Sequence, residues 1–223
     1  MIVPAMNLQE ISKEVLEDAR TFGNKLNTCG KDFRKIVLRS SHYPVIKTYE
    51  CKSIKRKNLF IFIFKALKRG HLYTPFITAY TVYSRPEGRY AVVPGLTDKR
   101  ATVYPPHFFK RYRERILKDE LLSNEAVIHE YFKNEWGRLG TLVNKDFETL
   151  FRVFERDIES SNKISFVGIN AQGYFFGEKQ GTVDIIQTIV PEDLLFENQL
   201  ATFARLKADF IQQNKDAYGL SII

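Results

Sequence analysis

Residues 101–118, ATVYPPHFFKRYRERILK, join a short strand to a helix through two prolines. Proline suits the first turn of a helix, where its missing N–H breaks no hydrogen bond. At about 100° per residue, the helix over residues 106–119 has one polar and one apolar face. The polar face holds His107, Arg111, Glu114, Arg115 and Lys118, and the apolar face holds Phe108, Phe109, Tyr112 and Ile116. We therefore predict a packed helix that presents an imidazole and two guanidinium groups together.

The chain before this helix predicts a helical pair followed by an antiparallel sheet. Asn7 can cap a first helix, residues 27–30 should break it, and a second helix follows over residues 32–39. From residue 43 the apolar period changes to two, which predicts strands at 43–53, 58–67, 75–84, 89–93 and 100–104. The strand at 58–67 is apolar on both faces and should be central in its sheet. This part is typical of a meander or a small barrel.

The chain after the helix predicts more helices and a closing sheet. Ser123 can cap a helix over residues 124–135, and an apolar stripe predicts another over residues 145–160. Strands are expected at 164–169, 173–177 and 182–190, and a last helix over 191–214. The fold class is therefore α+β, with an N-terminal helical pair, antiparallel sheets, a central His/Arg helix and a C-terminal helix. We expect domains at 1–95 and 96–223, unless the chain is one continuous domain.

The charge of the chain favours a polyanionic partner. A net charge of +8 and a pI near 9.4 favour RNA or DNA over a membrane as that partner. The alternative is a basic surface that has no partner. Basic residues cluster at 52–57 and 110–115, and the first cluster also suits a solvated hairpin end. The side chains that we predict to bind nucleic acid are Lys55, Arg56, Lys57, Tyr104, Lys110, Arg113 and Lys118.

The sequence contains no pattern typical of a membrane span, a signal peptide, a metal site or a nucleotide-binding loop. The longest apolar run, residues 59–64, is six residues, far below the roughly 20 that cross a bilayer. The N-terminus has no signal-peptide pattern, and Cys29 and Cys51 are read as thiols in a reducing cytoplasm rather than a disulfide. The four histidines have no ligand spacing, and nucleotide-binding glycine motifs and a GxSxG motif are missing, so we expect no metal or cofactor.

The polar face of the His/Arg helix offers acid–base chemistry beside fixed cations. His107 could act as general acid or base, and Arg111 and Arg115 could stabilise charge on a phosphate. Glu114 could orient Arg111 or Lys118 by an ion pair. These groups would suffice for RNA cleavage without a metal. The alternative is a solvated polar face with no catalytic role.

The spacing His-x3-Arg-x2-Glu-Arg, met by His107, Arg111, Glu114 and Arg115, resembles the helix of the DUF4258-like domains. These small bacterial toxin-like proteins are compared with the RelE- and BrnT-like ribonuclease toxins. Their order of strand, His/Arg helix, second helix and antiparallel sheet is similar to residues 100–190. This chain has Ile116 where the family usually has glycine, carries a helical insertion of about 25 residues, and has 95 further residues before the match.

Three functional hypotheses follow from these features. The resemblance and the charge imply a cytoplasmic RNA-binding protein of bacteria or phage, with a metal-independent endoribonuclease site at His107. The second is a non-enzymatic accessory protein of a phage or mobile element that binds DNA or an acidic protein. The third is a structural protein.

Overall fold

A computed structural model describes residues 2–95, 99–144, 147–148 and 164–218. The chain divides into two compact units. The first unit is Met1–Val103 with Gly181–Val183, and the second is Tyr104–Gln180 with Asp184–Ile223. The predicted α+β class, with its helical pair, His/Arg helix and C-terminal helix, is confirmed. The predicted domains 1–95 and 96–223 stay a prediction, because packing alone does not show that a unit folds independently.

The helical pair of the first unit begins at the predicted cap. Helix α1 (Leu8–Ala19) leads through a 3₁₀ turn (Arg20–Phe22) into helix α2 (Gly23–Arg39). The Asn7 side chain accepts a hydrogen bond from the Glu10 N–H at 3.0 Å, and the Glu10 carboxylate accepts one from the Asn7 N–H at 2.8 Å. The cap is therefore confirmed.

The predicted helix break at residues 27–30 is wrong, because α2 runs through it. The interruption lies at the 3₁₀ turn, where the Phe22 ring packs 4.9 Å from Phe60 and 5.2 Å from Phe62 between ring centroids. Packing against the sheet therefore sets the position of the break, and the local propensity of residues 27–30 does not.

The strands of the first unit form the predicted meander. Strands β1 (Val45–Lys52), β2 (Leu59–Ala66), β3 (Phe76–Arg85), β4 (Gly88–Pro94) and β5 (Ala101–Tyr104) lie in chain order. The pairs β1–β2, β2–β3 and β3–β4 are antiparallel. Strand β2 lies between β1 and β3, and most of its side chains are buried, so the prediction of a central strand is confirmed.

The second unit begins with the His/Arg helix, which is shorter than predicted. Helix α3 (Pro106–Tyr112) is followed by a π-helical turn (Arg113–Leu117), closed by a hydrogen bond from the Lys118 N–H to the Arg113 carbonyl at 2.7 Å. Lys118 takes a left-handed conformation, with φ 53°, and ends the helix. A helical wheel of about 100° per residue therefore does not give the correct faces beyond Tyr112, because hydrogen bonds in the π turn join residues five apart instead of four.

Among the described residues, the second unit also contains helix α4 (Asn124–Asn134), strands β6 to β9, a 3₁₀ turn (Glu192–Leu194) and helix α5 (Glu197–Tyr218). Ser123 caps α4 as predicted, with its hydroxyl accepting from the Ala126 N–H at 3.2 Å. The strands β6 (Leu139–Leu142), β7 (Ile164–Asn170), β8 (Gly173–Gln180) and β9 (Val183–Val190) lie in the order β9-β8-β7-β6. The sequence did not predict β6. All but two residues of the predicted helix at 145–160 lie outside the described residues.

Six aromatic side chains form the core around α3 and α4, which we call the aromatic cluster. Their ring centroids lie 4.9–6.3 Å apart. The cluster consists of Tyr104, Phe108, Phe109, Tyr112, Tyr131 and Phe132. The predicted apolar face of α3 is confirmed for Phe108, Phe109 and Tyr112, whereas Ile116, in the π turn, is half-buried.

The surroundings of His71 predict that the stability of the first unit depends on pH. Its Nδ1 accepts a hydrogen bond from the Leu67 N–H at 3.2 Å, and burial, followed by the charge of Lys68, lowers the pKa of His71. A proton therefore binds the unfolded chain more readily, and stability should fall as the pH drops below about 6.5. We expect the free energy of unfolding to decrease between about pH 7.5 and about pH 5.5. His71→Gln should show a smaller decrease in urea titrations, and an equal decrease in both proteins would contradict the assignment.

Candidate nucleic-acid interface

His107 is held by a hydrogen-bonded chain that ends at a buried carboxylate. Its Nε2 lies 2.8 Å from Gln187 Oε1 on β9, and Gln187 Nε2 donates to Glu178 Oε1 at 3.2 Å on β8. Glu178 is 1% exposed and also accepts from Gln180 Nε2 at 3.0 Å. The carboxylate accepts hydrogen bonds, so it turns the amide N–H₂ of Gln187 toward itself and the amide oxygen toward His107. His107 Nε2 therefore carries the proton, and the exposed imidazole is oriented.

Arg115 is tied to the same strand. Its Nη1 donates to Thr188 Oγ1 and to the Ile189 carbonyl, both at 3.0 Å. Thr188 and Ile189 are fully buried at their side chains, so this guanidinium serves as an anchor of the π turn on β9. The Nη1 group of Arg115 is thus engaged on β9, and the role of Arg115 as a phosphate ligand stays a prediction.

The other residues of the predicted polar face differ in their exposure and contacts. Arg111 is half-buried, and Glu114 is exposed. Lys118, which ends the helix in a left-handed conformation, has its Nζ 3.9 Å from Asp193 Oδ2. The proposed ion pair of Glu114 with Lys118 is therefore replaced by a contact with Asp193.

Tyr104 lies in the core and does not reach solvent. Its side chain is 0% exposed within the aromatic cluster, and its hydroxyl accepts a hydrogen bond from Arg138 Nη2. Arg138 also pairs with Glu135, with Nε 3.1 Å from Oε1. Burial by itself favours the neutral form of Arg138, but the Glu135 carboxylate keeps the pKa of Arg138 above its ordinary value. The expectation that Tyr104 is free to stack on a base is therefore wrong.

Lys110 and Arg113 have different surroundings. Lys110 is exposed on α3. Arg113 is half-buried and donates from Nη2 to Asn124 Oδ1 at 2.7 Å, which links the π turn to the first residue of α4. Arg113 therefore has a structural contact that the sequence did not predict.

Arg56 in the β1–β2 turn is neutralised by carboxylates of α1. Its guanidinium contacts Glu17, lies 3.3 Å from Asp18 and lies 3.8 Å from Glu14. Asn58 adds hydrogen bonds of 2.8 Å to Glu14 and Asp18. Arg56 therefore fastens the turn to α1 and has no spare charge for a phosphate. Its neighbours Lys55 and Lys57 are exposed, as predicted.

Charge is distributed unequally between the two units. By sequence, the first unit has 19 of the 34 Lys and Arg and 8 of the 26 Asp and Glu, a net charge of +11. The second unit has the other 15 basic and 18 acidic residues, a net charge of −3. The excess positive charge therefore lies on the first unit, away from the His/Arg helix in sequence.

Helix α2 presents a row of cations that we call the basic stripe: Lys31, Arg34, Lys35 and Arg39. All four are exposed, and they fall within an arc of about 140° at about 100° per residue. The nearest acid of the helix, Asp32, accepts a hydrogen bond from the Tyr49 hydroxyl at 2.8 Å. No carboxylate among the described residues pairs with the stripe.

Sequence reasoning missed the residues that position the His/Arg helix. Gln187 and Thr188 lie inside an apolar strand, and Glu178 is buried in β8. The signal that could have found them is polarity within a strand whose neighbours are apolar, since a buried polar group needs a partner. The sequence analysis also does not predict the basic stripe, because it limits the second helix to residues 32–39 and so does not place Lys31 on one face with the other three cations.

The described residues contain no group of three or more His, Cys, Asp or Glu side chains suited to a metal ion. Within the same residues, no helix combines the length and the apolar character of a membrane span. No protein-family model matches the chain, and no curated protein or solved structure is significantly similar to it. The resemblance to the DUF4258-like domains therefore stays a prediction.

Proposed function

We propose that this protein binds nucleic acid, RNA before DNA, through the basic surface of its first unit. The observation that carries the proposal is the net charge of +11 on that unit, together with the exposed basic stripe on α2. Clustered lysine and arginine side chains bind phosphates and release the counterions condensed on a nucleic acid. We further propose a cytoplasmic location, the reducing compartment that the sequence reading of Cys29 and Cys51 as thiols implies.

A simpler account of the basic stripe is that cations stabilise the C-terminal end of a helix. Arg39 lies in the last turn of α2 and fits that account. Lys31 and Arg34 do not, because the effect of the helix dipole falls off within the last turn. A solvated helix face also usually mixes both signs of charge, whereas the charged side chains within this arc are all cations. The stripe therefore favours a polyanionic partner.

Binding should depend on salt in proportion to the cations that contact phosphates. We expect Lys31→Gln/Lys35→Gln to weaken binding of a labelled single-stranded RNA about 10-fold near physiological salt. The slope of log affinity against log salt should fall by about 1.4 in magnitude, since each contact with a single strand adds about 0.7. Fluorescence anisotropy titrations over a series of salt concentrations measure both quantities.

The matched control is Arg205→Gln/Lys215→Gln, which removes two exposed cations of α5 in the second unit. This control should bind RNA like the wild type. No salt-dependent binding of RNA or DNA by the wild type would overturn the proposal and favour an acidic protein partner. Weakening by the control and not by the α2 variant would overturn the assignment to the first unit.

A second candidate function is metal-independent endoribonuclease activity at His107. The specific observation in its favour is the chain from His107 through Gln187 to Glu178, which orients an exposed imidazole. Such an orientation is what a general acid or base requires. Lys110, which is exposed, is a cation of the same helix that could contact a phosphate. The non-enzymatic accessory protein is the outcome if binding occurs without cleavage.

A further inference from the structure

Tyr73 is an exposed aromatic side chain beside the basic stripe. It follows the 3₁₀ turn Arg69–Leu72 and is 72% exposed. The Arg34 guanidinium lies over its ring, with Cζ 5.1 Å from the centroid. This contact fixes the ring at the stripe, and most of the side chain still faces solvent. A cation and an aromatic ring thus form one surface.

The surroundings of α2 keep the stripe in place on a rigid support. At the N-terminal end of the helix, Lys25 Nζ donates to the Lys52 carbonyl at 2.6 Å on β1. Farther along, Tyr49 of β1 binds Asp32 at 2.8 Å. Phe33, on the opposite side of the helix, is fully buried with its ring centroid 5.5 Å from that of Phe64. The helix is therefore fastened to the sheet, and its outer face is preorganised.

The dimensions of the stripe suit a segment of one strand. Lys31 and Arg39 are eight residues apart, which is about 12 Å along the axis at about 1.5 Å per residue. Cations in such a row can follow a sugar–phosphate backbone, and an adjacent aromatic ring can stack on a base. A base in a duplex is already stacked and paired, so the ring can receive a base only from an unpaired strand. The aromatic ring of Tyr73 would thus distinguish a single-stranded nucleic acid from a duplex.

We propose that α2 and Tyr73 bind a single-stranded nucleic acid, with phosphates on the basic stripe and an unpaired base stacked on Tyr73. This inference rests on the proposed function, because it names the form of nucleic acid and the residue that selects it. Arg34 has two roles here: it supports the ring of Tyr73 and adds positive charge beside the stacked base. Lys31, Lys35 and Arg39 supply contacts that are independent of base sequence.

The test compares equilibrium binding of single-stranded RNA, single-stranded DNA and duplex RNA of equal length at one salt concentration. We expect Tyr73→Ala to weaken binding of single-stranded RNA about 10-fold and to leave binding of the duplex unchanged. Tyr73→Phe should bind like the wild type, because phenylalanine keeps the ring. The matched control is Phe196→Ala, an aromatic side chain of the second unit that is 74% exposed.

The outcomes separate this inference from the proposed function. Equal weakening for single-stranded RNA and DNA would support stacking without selection of the sugar, and weakening for RNA alone would support recognition of the 2′-hydroxyl. Preference for duplex, or unchanged binding by Tyr73→Ala while Lys31→Gln/Lys35→Gln still binds more weakly, would overturn the inference and leave the proposed function standing. Absence of binding to every nucleic acid would overturn the proposed function itself.

Discussion

Tyr131→Ala is expected to lower the free energy of unfolding by about 3–5 kcal/mol, the cost of removing a large buried aromatic side chain. The Tyr131 ring is fully buried and contacts five other rings of the aromatic cluster at centroid distances of 4.9–6.2 Å. Its removal leaves a cavity between α3 and α4 that these rigid neighbours cannot fill. Urea unfolding followed by circular dichroism measures the change.

Tyr131→Phe separates the ring from the hydroxyl. The hydroxyl accepts a hydrogen bond from Asn170 Nδ2 at 3.2 Å, and Asn170 is buried. The phenylalanine variant keeps the ring contacts but leaves this amide without one partner, so we expect a loss of about 1–2 kcal/mol. Phe196→Ala, at an exposed aromatic, should stay within about 0.5 kcal/mol of the wild type. A loss below about 1 kcal/mol for Tyr131→Ala would show that the cluster contributes little to stability.

Periodic local patterns allowed most of the fold to be predicted. The apolar face of α3, the cap at Asn7 and the central position of β2 depend on residues within a few positions of one another. The exceptions depend on distant residues. Phe22 is held by Phe60 and Phe62, and this contact moves the interruption of the helical pair to residues 20–22. Strand β6 has a mostly exposed pattern, so its sequence gives no alternation to recognise.

The candidate site was less predictable, because long-range hydrogen bonds decide what each side chain does. His107 and Gln187 are 80 residues apart in sequence, and Arg115 and Ile189 are 74 apart. A helical wheel identifies neither partner. Arg56 was predicted from a cluster of positive charge, and its three carboxylates lie in α1, about 40 residues earlier. Residue type alone therefore indicates which cations exist, whereas their partners determine which remain available for a phosphate.

His107→Ala is expected to lower the rate of RNA cleavage at least 100-fold if the protein is an endoribonuclease, since a positioned general base contributes roughly 100- to 10,000-fold. In the neutral imidazole, the hydrogen bond to Gln187 places the proton on Nε2 and the lone pair on Nδ1. Nδ1 is then the nitrogen that would accept a proton from a 2′-hydroxyl. The assay follows a labelled single-stranded RNA in EDTA, which excludes cleavage by a contaminating metal-dependent nuclease.

Arg111→Ala tests the neighbouring cation in the same assay and should also slow cleavage. His42→Ala is the matched control, because His42 is an exposed histidine of the first unit. This variant should cleave RNA like the wild type.

Gln187→Leu should slow cleavage and change the pH profile of the cleavage rate, since His107 would lose the partner that selects its tautomer. If the role of Gln187 is purely structural, Gln187→Leu should lower the stability of the protein without altering the pH profile of cleavage. Cleavage that persists in His107→Ala would remove this site from consideration. Absence of cleavage by a wild type that binds RNA would mean that the chain from His107 to Glu178 fastens α3 to β9, and that the protein acts by binding alone.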